Sequence, residues 1–263
     1  YFVGTKSCSR PQEVRRGNLS SVWGCSTAGR ILESGRDGAE PDPLGALVNY
    51  RKACAGGFGW GCSSGGDLIL SGLPGIDAKE AEALYEAGCA VDQDNGKADS
   101  CRKLGELLVS DKSPGGVNVS KATEAFTKGC ELNDPWACAN LGYWIWDVAE
   151  TLGEALAAVE PYSKACRIDR ETCKYGAAFL LAYLDEEGLA GLSKEGVASV
   201  LLGALKEGDA DTARILTSRE IDSAITSALQ DLLAAEGHDI GSPDGKMGPK
   251  TKEVILSVCN CEG

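Results

Sequence analysis

The 263-residue sequence contains a single histidine, His238, no long apolar run, and fewer basic than acidic residues. Each shortage closes off a class of function. One histidine leaves little from which to build a Ser-His-Asp triad or a His-rich zinc hydrolase. The longest apolar stretches, such as 68–70 and 177–184, fall far short of the roughly 20 residues that a membrane-spanning helix needs. Asp and Glu outnumber Lys and Arg by 39 to 26, a formal net charge of −13 that repels nucleic acid and anionic lipid. The chain also opens on Tyr1 rather than Met, without a basic-then-apolar leader, as expected of a processed product.

Apolar residues make up 43% of the chain, enough for a sizeable core, and twelve cysteines stand out. An even cysteine count with almost no histidine suits disulfides rather than zinc, and places the protein in an oxidising compartment, periplasmic or secreted. Cys54, Cys89, Cys130 and Cys166 recur every 35 to 41 residues, the period of stacked supersecondary units. Before each stands a small-aromatic-small set: Ala46, Tyr50, Ala53; Ala81, Tyr85, Gly88; Ala122, Phe126, Gly129; Ala158, Tyr162, Ala165. That spacing lines one face of a helix. A second column begins at Cys25, Cys62, Cys101, Cys138 and Cys173, with a small residue or Leu three and four positions on and bulky apolar pairs from Ile31/Leu32 to Phe179/Leu180. Each unit therefore reads as two helices joined by a short turn. Such a turn brings the flanking cysteines near disulfide distance, which pairs Cys54 with Cys62, Cys89 with Cys101, Cys130 with Cys138 and Cys166 with Cys173. Cys8 is the expected partner of Cys25 across a longer basic insert.

The phrases at 50–72, 126–146 and 162–182 carry these columns most fully, and over residues 1–190 the chain resembles the Sel1-like repeat family in its cysteine-rich bacterial form. The resemblance implies an all-α fold: a right-handed α-solenoid of disulfide-stapled helix pairs, followed by a small helical C-terminal domain. It also implies a concave surface that holds an envelope protein or peptide. Residues 1–192 form the expected solenoid of about five helix pairs. Residues 193–217 read as capping helices, with Val197, Val200, Leu201 and Ala204 on one face.

The stretch GSPDGKMGPKT, residues 241–251, fits neither a nucleotide nor a calcium loop. Gly241 and Gly245 enclose only three residues, and Lys246 is followed by Met247 where a phosphate loop needs Ser or Thr. An EF-hand would place Lys246 and Lys250 against the ion. A helix, a glycine turn and a second helix do fit: Gly237 stops the first helix, Asp244-Gly245 makes the turn, and Pro249 starts the second. Together with Gln230, Leu233, Gly248 and Thr251, these residues resemble the three-helix peptidoglycan-binding domain, expected over 218–263. The resemblance implies peptidoglycan as ligand, with Asp244, Gly245, Lys246, Lys250 and Thr251 as candidate contacts. Cys259 and Cys261 remain open to a mutual bond, a bond to another chain, or a redox role.

The expected protein is thus a non-enzymatic envelope tether and adaptor, with no catalytic residue, metal or cofactor. Two rivals stand beside it. One is a weak penicillin-binding, β-lactam-hydrolysing enzyme, as some cysteine-rich relatives of these repeats are described. Against it, Ser-x-x-Lys occurs only at Ser100–Lys103, around Cys101, and neither Ser-Asp-Asn nor Lys-Thr-Gly occurs. The other rival is a secreted interaction protein without wall binding.

Overall fold

The computed structural model of the protein describes residues 19–35, 40–93, 95–183 and 193–261. Cys8 and most of the basic insert lie outside the described residues. The described elements are all helical: α1 (Leu19–Ser34), α2 (Pro43–Ala55), α3 (Gly59–Leu70), α4 (Ala78–Cys89), α5 (Lys97–Leu108), α6 (Val119–Glu131), α7 (Pro135–Asp147), α8 (Leu152–Ala155), α9 (Val159–Ile168), α10 (Cys173–Tyr183), α11 (Lys194–Lys206), α12 (Ala210–Ser218), α13 (Ser223–Ala235) and α14 (Pro249–Cys259). Two short 3-10 turns, Leu156–Ala158 and Arg170–Thr172, precede α9 and α10. The chain divides into two compact units, residues 1–137 and 138–263. The expected segments 193–217 and 218–263 both fall within the second.

In the first unit, consecutive helices from α1 to α6 pack as neighbours. The start of each repeat is set by a side-chain cap: Asp42 accepts from the Gly45 N–H, Asp77 from Lys79 N–H and Asn118 from Lys121 N–H. Each cap satisfies a backbone donor that the first helical turn leaves without a partner. The repeated aromatics are then buried against glycines of the preceding helix. A Cβ at Gly29 would lie 2.7 Å from the Tyr50 ring, one at Gly66 2.3 Å from Tyr85, and one at Gly105 2.5 Å from Phe126. Cys54–Cys62 and Cys89–Cys101 are disulfides with Cα atoms 4.6 Å apart in each case. Cys25, Cys130 and Cys138 are disulfide-bonded as well.

The second unit repeats the device, with Gly142 facing the Tyr162 ring and Cys166 bonded to Cys173. Phe179 sits between Trp146 and Tyr162, its centroid 5.6 Å from each. From there one continuous core runs on through Leu201, Leu205, Leu216, Leu229, Leu233 and Ile255. Helices α13 and α14 therefore share their apolar interior with α10 and α11. Gly203 lies directly on the Cys166–Cys173 bridge, where a Cβ would stand 2.5 Å from the Cys173 sulfur. Cys259 and Cys261 are bonded to each other.

Candidate functional site

A groove in the first unit and a cavity in the second have the geometry to hold a ligand. In the first unit, α4, α5 and α6 enclose a groove of about 620 Å³. Its floor is apolar, from Leu104, Leu108 and Ala125, which are buried by the same helical periodicity that builds the core. Its rim is charged. Lys121, Glu124, Lys128 and Glu131 follow one another at three- and four-residue steps along one edge of α6, while Glu86 and Lys97 stand opposite. None of these six side chains forms an ion pair among the described residues. Charged groups without an ion-pair partner among the described residues, beside an apolar floor, can meet both the side chains and the charges of an extended peptide.

The second surface surrounds the 241–251 turn. Asp222 caps α13 by accepting from the N–H groups of Ala224 and Ile225, and α13 ends before Gly237, whose φ of 91° only glycine adopts freely. From α13, Gln230 projects into the turn and is 1% exposed. Its amide nitrogen donates to Asp244, to the Lys246 carbonyl (2.9 Å) and to the Thr251 hydroxyl (3.1 Å), and its oxygen accepts from Gly245 N–H (2.9 Å). One buried amide thus organises the whole loop, as a polar group at such depth requires.

The five candidate wall contacts are therefore not equivalent. Asp244, Gly245 and Thr251 meet at Gln230 and hold the turn. Hydrogen bonds from the Lys246 N–H and from Gln230 also keep the Asp244 carboxyl below its ordinary pKa. Gly245 adopts φ 71°, and a Cβ there would lie 2.7 Å from the Ser223 carbonyl oxygen. Lys250 pairs with Asp239 at 3.1 Å, and that hydrogen bond lowers the Asp239 pKa. Lys246 alone of the five sends an exposed side chain to the edge of a cavity of about 510 Å³. Arg219 and Lys252 share that cavity, and no sequence motif singles them out. Lys252 lies within the helix-start pattern PKTK, but Arg219 precedes α13 with no local pattern to mark it.

The Ser-x-x-Lys match is occupied by structural work. Ser100 is 0% exposed and donates to the Gly59 carbonyl, and the Lys103 ammonium donates to Asp67 at 2.6 Å. Among the described residues, no cluster of His, Cys, Asp and Glu is arranged to hold a metal ion. No helix among the described residues is long and apolar enough to cross a membrane.

No protein-family model and no curated protein matches the chain. Among solved structures, it is similar to a Sel1 repeat protein from Oxalobacter formigenes, with a TM-score of 0.56 and 17% identity over 88% of this chain and 92% of that one. It also matches a protective antigen present in uropathogenic Escherichia coli strains displaying an SLR fold, with a TM-score of 0.39 and 18% identity over 97% of this chain and 68% of that one. The likeness is one of fold, and with the helix pairs and their bridges it makes this chain an all-α solenoid of the Sel1 type, stapled by disulfides.

Proposed function

We propose that the protein is a non-catalytic adaptor of the bacterial envelope: the groove of the first unit holds an extended peptide segment of a protein partner, and the C-terminal turn attaches the chain to peptidoglycan. The groove carries the first half of this reading. An apolar floor flanked by six charged side chains without ion-pair partners among the described residues suits binding better than folding. The Sel1-type fold supports the same role, since stacked helix pairs present continuous surfaces to partners. The disulfides suggest an exported, oxidising setting. Within that setting the wall reading points to the periplasm.

A photocrosslinking amino acid at Lys128 tests the groove, with the same label at the exposed Glu253 as control. One discrete adduct in envelope preparations from the Lys128 position alone is the expected result. Equal labelling from both positions would remove the groove from the reading. Co-sedimentation with purified sacculi tests the second half, and a protein that stays in the supernatant removes it. The enzyme alternative has a simple measure in nitrocefin turnover, for which no hydrolysis above the buffer rate is expected.

A further inference from the structure

Three of the five tryptophans occupy one position of the repeat. Trp23, Trp60 and Trp136 each stand two residues before a cysteine of the second column, near the start of α1, α3 and α7, and all three belong to the first unit. They are 60%, 49% and 36% exposed, whereas the aromatic column of the first helices is buried. The core therefore does not account for them, and large apolar side chains that recur at one position form a patch rather than a scatter.

Neighbouring segments fix each position. Val22 and Cys25, on either side of Trp23, are buried with Ala53 and with Phe58, which directly precedes α3. The Trp60 N–H donates to the Asn95 carbonyl at 2.9 Å, and a Cβ at Gly96 would lie 2.8 Å from Trp60 Cγ. On α5 the same position is Asp99, which accepts from Arg102. Arg102 also pairs with Glu106 and, at 3.5 Å, with Asp134, whose bond to the Ala137 N–H starts the turn that carries Trp136. One edge thus presents, in order, indole, indole, carboxylate and indole.

The indoles stand in uncharged sequence. A quarter of the chain is charged, yet the nine residues centred on Trp23 and on Trp60 carry no charge, and those centred on Trp136 carry only Asp134. Among its described residues, the α4–α5 segment beside Trp60 adds Asp92 and Lys97, one charge of each sign. A net charge of −13 repels acidic ligands, so a neutral ring matches this edge best. Sugars and prolines both offer one, but a sugar also needs partners for its hydroxyls. The polar groups nearest Trp60 and Trp136 face inward: Ser63 is 1% exposed, Asn95 Nδ2 is buried, and Asp134 is bonded twice. A prolyl ring needs only the indole face. Packed helices lie about 8–10 Å apart, and a polyproline II strand turns once in three residues, about 9 Å.

We propose that Trp23, Trp60 and Trp136 form a docking row for a proline-rich segment of a partner protein in the polyproline II conformation. Its prolines follow P-x-x-P-x-x-x-x-x-P in one chain direction, with the turn over Asp99 left out. The proposal goes beyond the groove reading and uses none of the residues that line the groove.

The test uses the full chain, isotopically labelled at the tryptophan side chains, with indole N–H resonances assigned through single Trp-to-Phe variants. Decaproline should shift Trp23, Trp60 and Trp136 and leave Trp144 and Trp146 in place. W23A, at the most exposed of the three, should weaken binding about tenfold, and W60F, which keeps a ring against Gly96, by a smaller factor. Thermal melts check both folds, and W144F should bind as the parent does. Two serine decapeptides carry three prolines in the stated spacing, one in each chain direction, and a third carries them side by side. One of the spaced pair should bind more tightly than the third. Equal binding of all three overturns the register, and no shift with decaproline, or full binding by both W23A and W60F, overturns the row. If chitohexaose shifts the three indoles and decaproline does not, the row is a glycan platform and the proposal falls. The same holds for phosphatidylcholine vesicles, which would make it a membrane contact.

Discussion

A glycine four residues beyond the second cysteine of a repeat decides how closely the next repeat can approach. Gly29, Gly66, Gly105 and Gly142 each lack the Cβ that would enter the ring of Tyr50, Tyr85, Phe126 or Tyr162. Glycine inside a helix costs about 1 kcal/mol relative to alanine, so these positions trade helix propensity for contact. Overpacking a filled core costs about 1–3 kcal/mol. Gly105→Ala, whose Cβ would stand 2.5 Å from the Phe126 ring, should therefore lower stability by about 1 kcal/mol net in urea unfolding. Gly153→Ala is the control: nothing lies within 4 Å of its Cβ, and it should raise stability by about 0.5 kcal/mol. The small residue of the second column was visible in the sequence, as was the aromatic of the first. That small residues allow close approach and the aromatic fills the gap between neighbouring helices follows from those columns; which glycine meets which ring does not, because spacing along one helix does not say which residue of another helix it meets. At the C-terminal turn the same gap separates pattern from role. Asp244, Gly245 and Thr251 were legible as a motif, but only the position of Gln230 shows that they hold the loop.

At the level of the helix, three caps repeat with the period of the cysteines. Asp42, Asp77 and Asn118 each stand twelve residues before Cys54, Cys89 and Cys130, so one signal begins the helix and another staples its end. That column lies in the sequence, and its residue types are those that favour caps. Replacing Asp77 by alanine leaves the Lys79 N–H uncapped and should cost about 1 kcal/mol in urea unfolding. The start of α3 is arranged differently. Phe58 offers no side-chain cap there, and Asn95 from the next repeat accepts from the Gly59 N–H through its side chain and from the Trp60 N–H through its carbonyl. The loop between α4 and α5 thus completes a helix 36 residues earlier. No local pattern could announce this, because the partner of a backbone donor at a helix end comes from the fold.

Across the whole molecule, buried tyrosines link stability to alkaline pH. Burial raises the hydroxyl pKa values of Tyr50, Tyr85 and Tyr162 well above the ordinary 10.0, helped by Glu33 at Tyr50 and by Asp67 at Tyr85. A pKa raised in the folded state contributes stability that is complete below the unfolded value and is lost as pH rises past it. Melting temperature should hold steady up to about pH 10 and fall beyond it, more gently in Tyr85→Phe. A spectrophotometric titration should show these three of the seven tyrosines ionising only with unfolding. Helical class and the repeated pairs were legible in the sequence because their columns recur. The common interior of α10, α11, α13 and α14 was not, since it joins residues from segments whose sequence patterns differ. The glycine seats also bear on how such a chain can change over generations. Each junction asks the same of its two sides, a bare backbone on one and a ring on the other, so whole repeats are interchangeable parts. Gain or loss of one unit would leave a working joint behind it and alter only the length of surface on offer, a route to new partners that bypasses gradual redesign of a core.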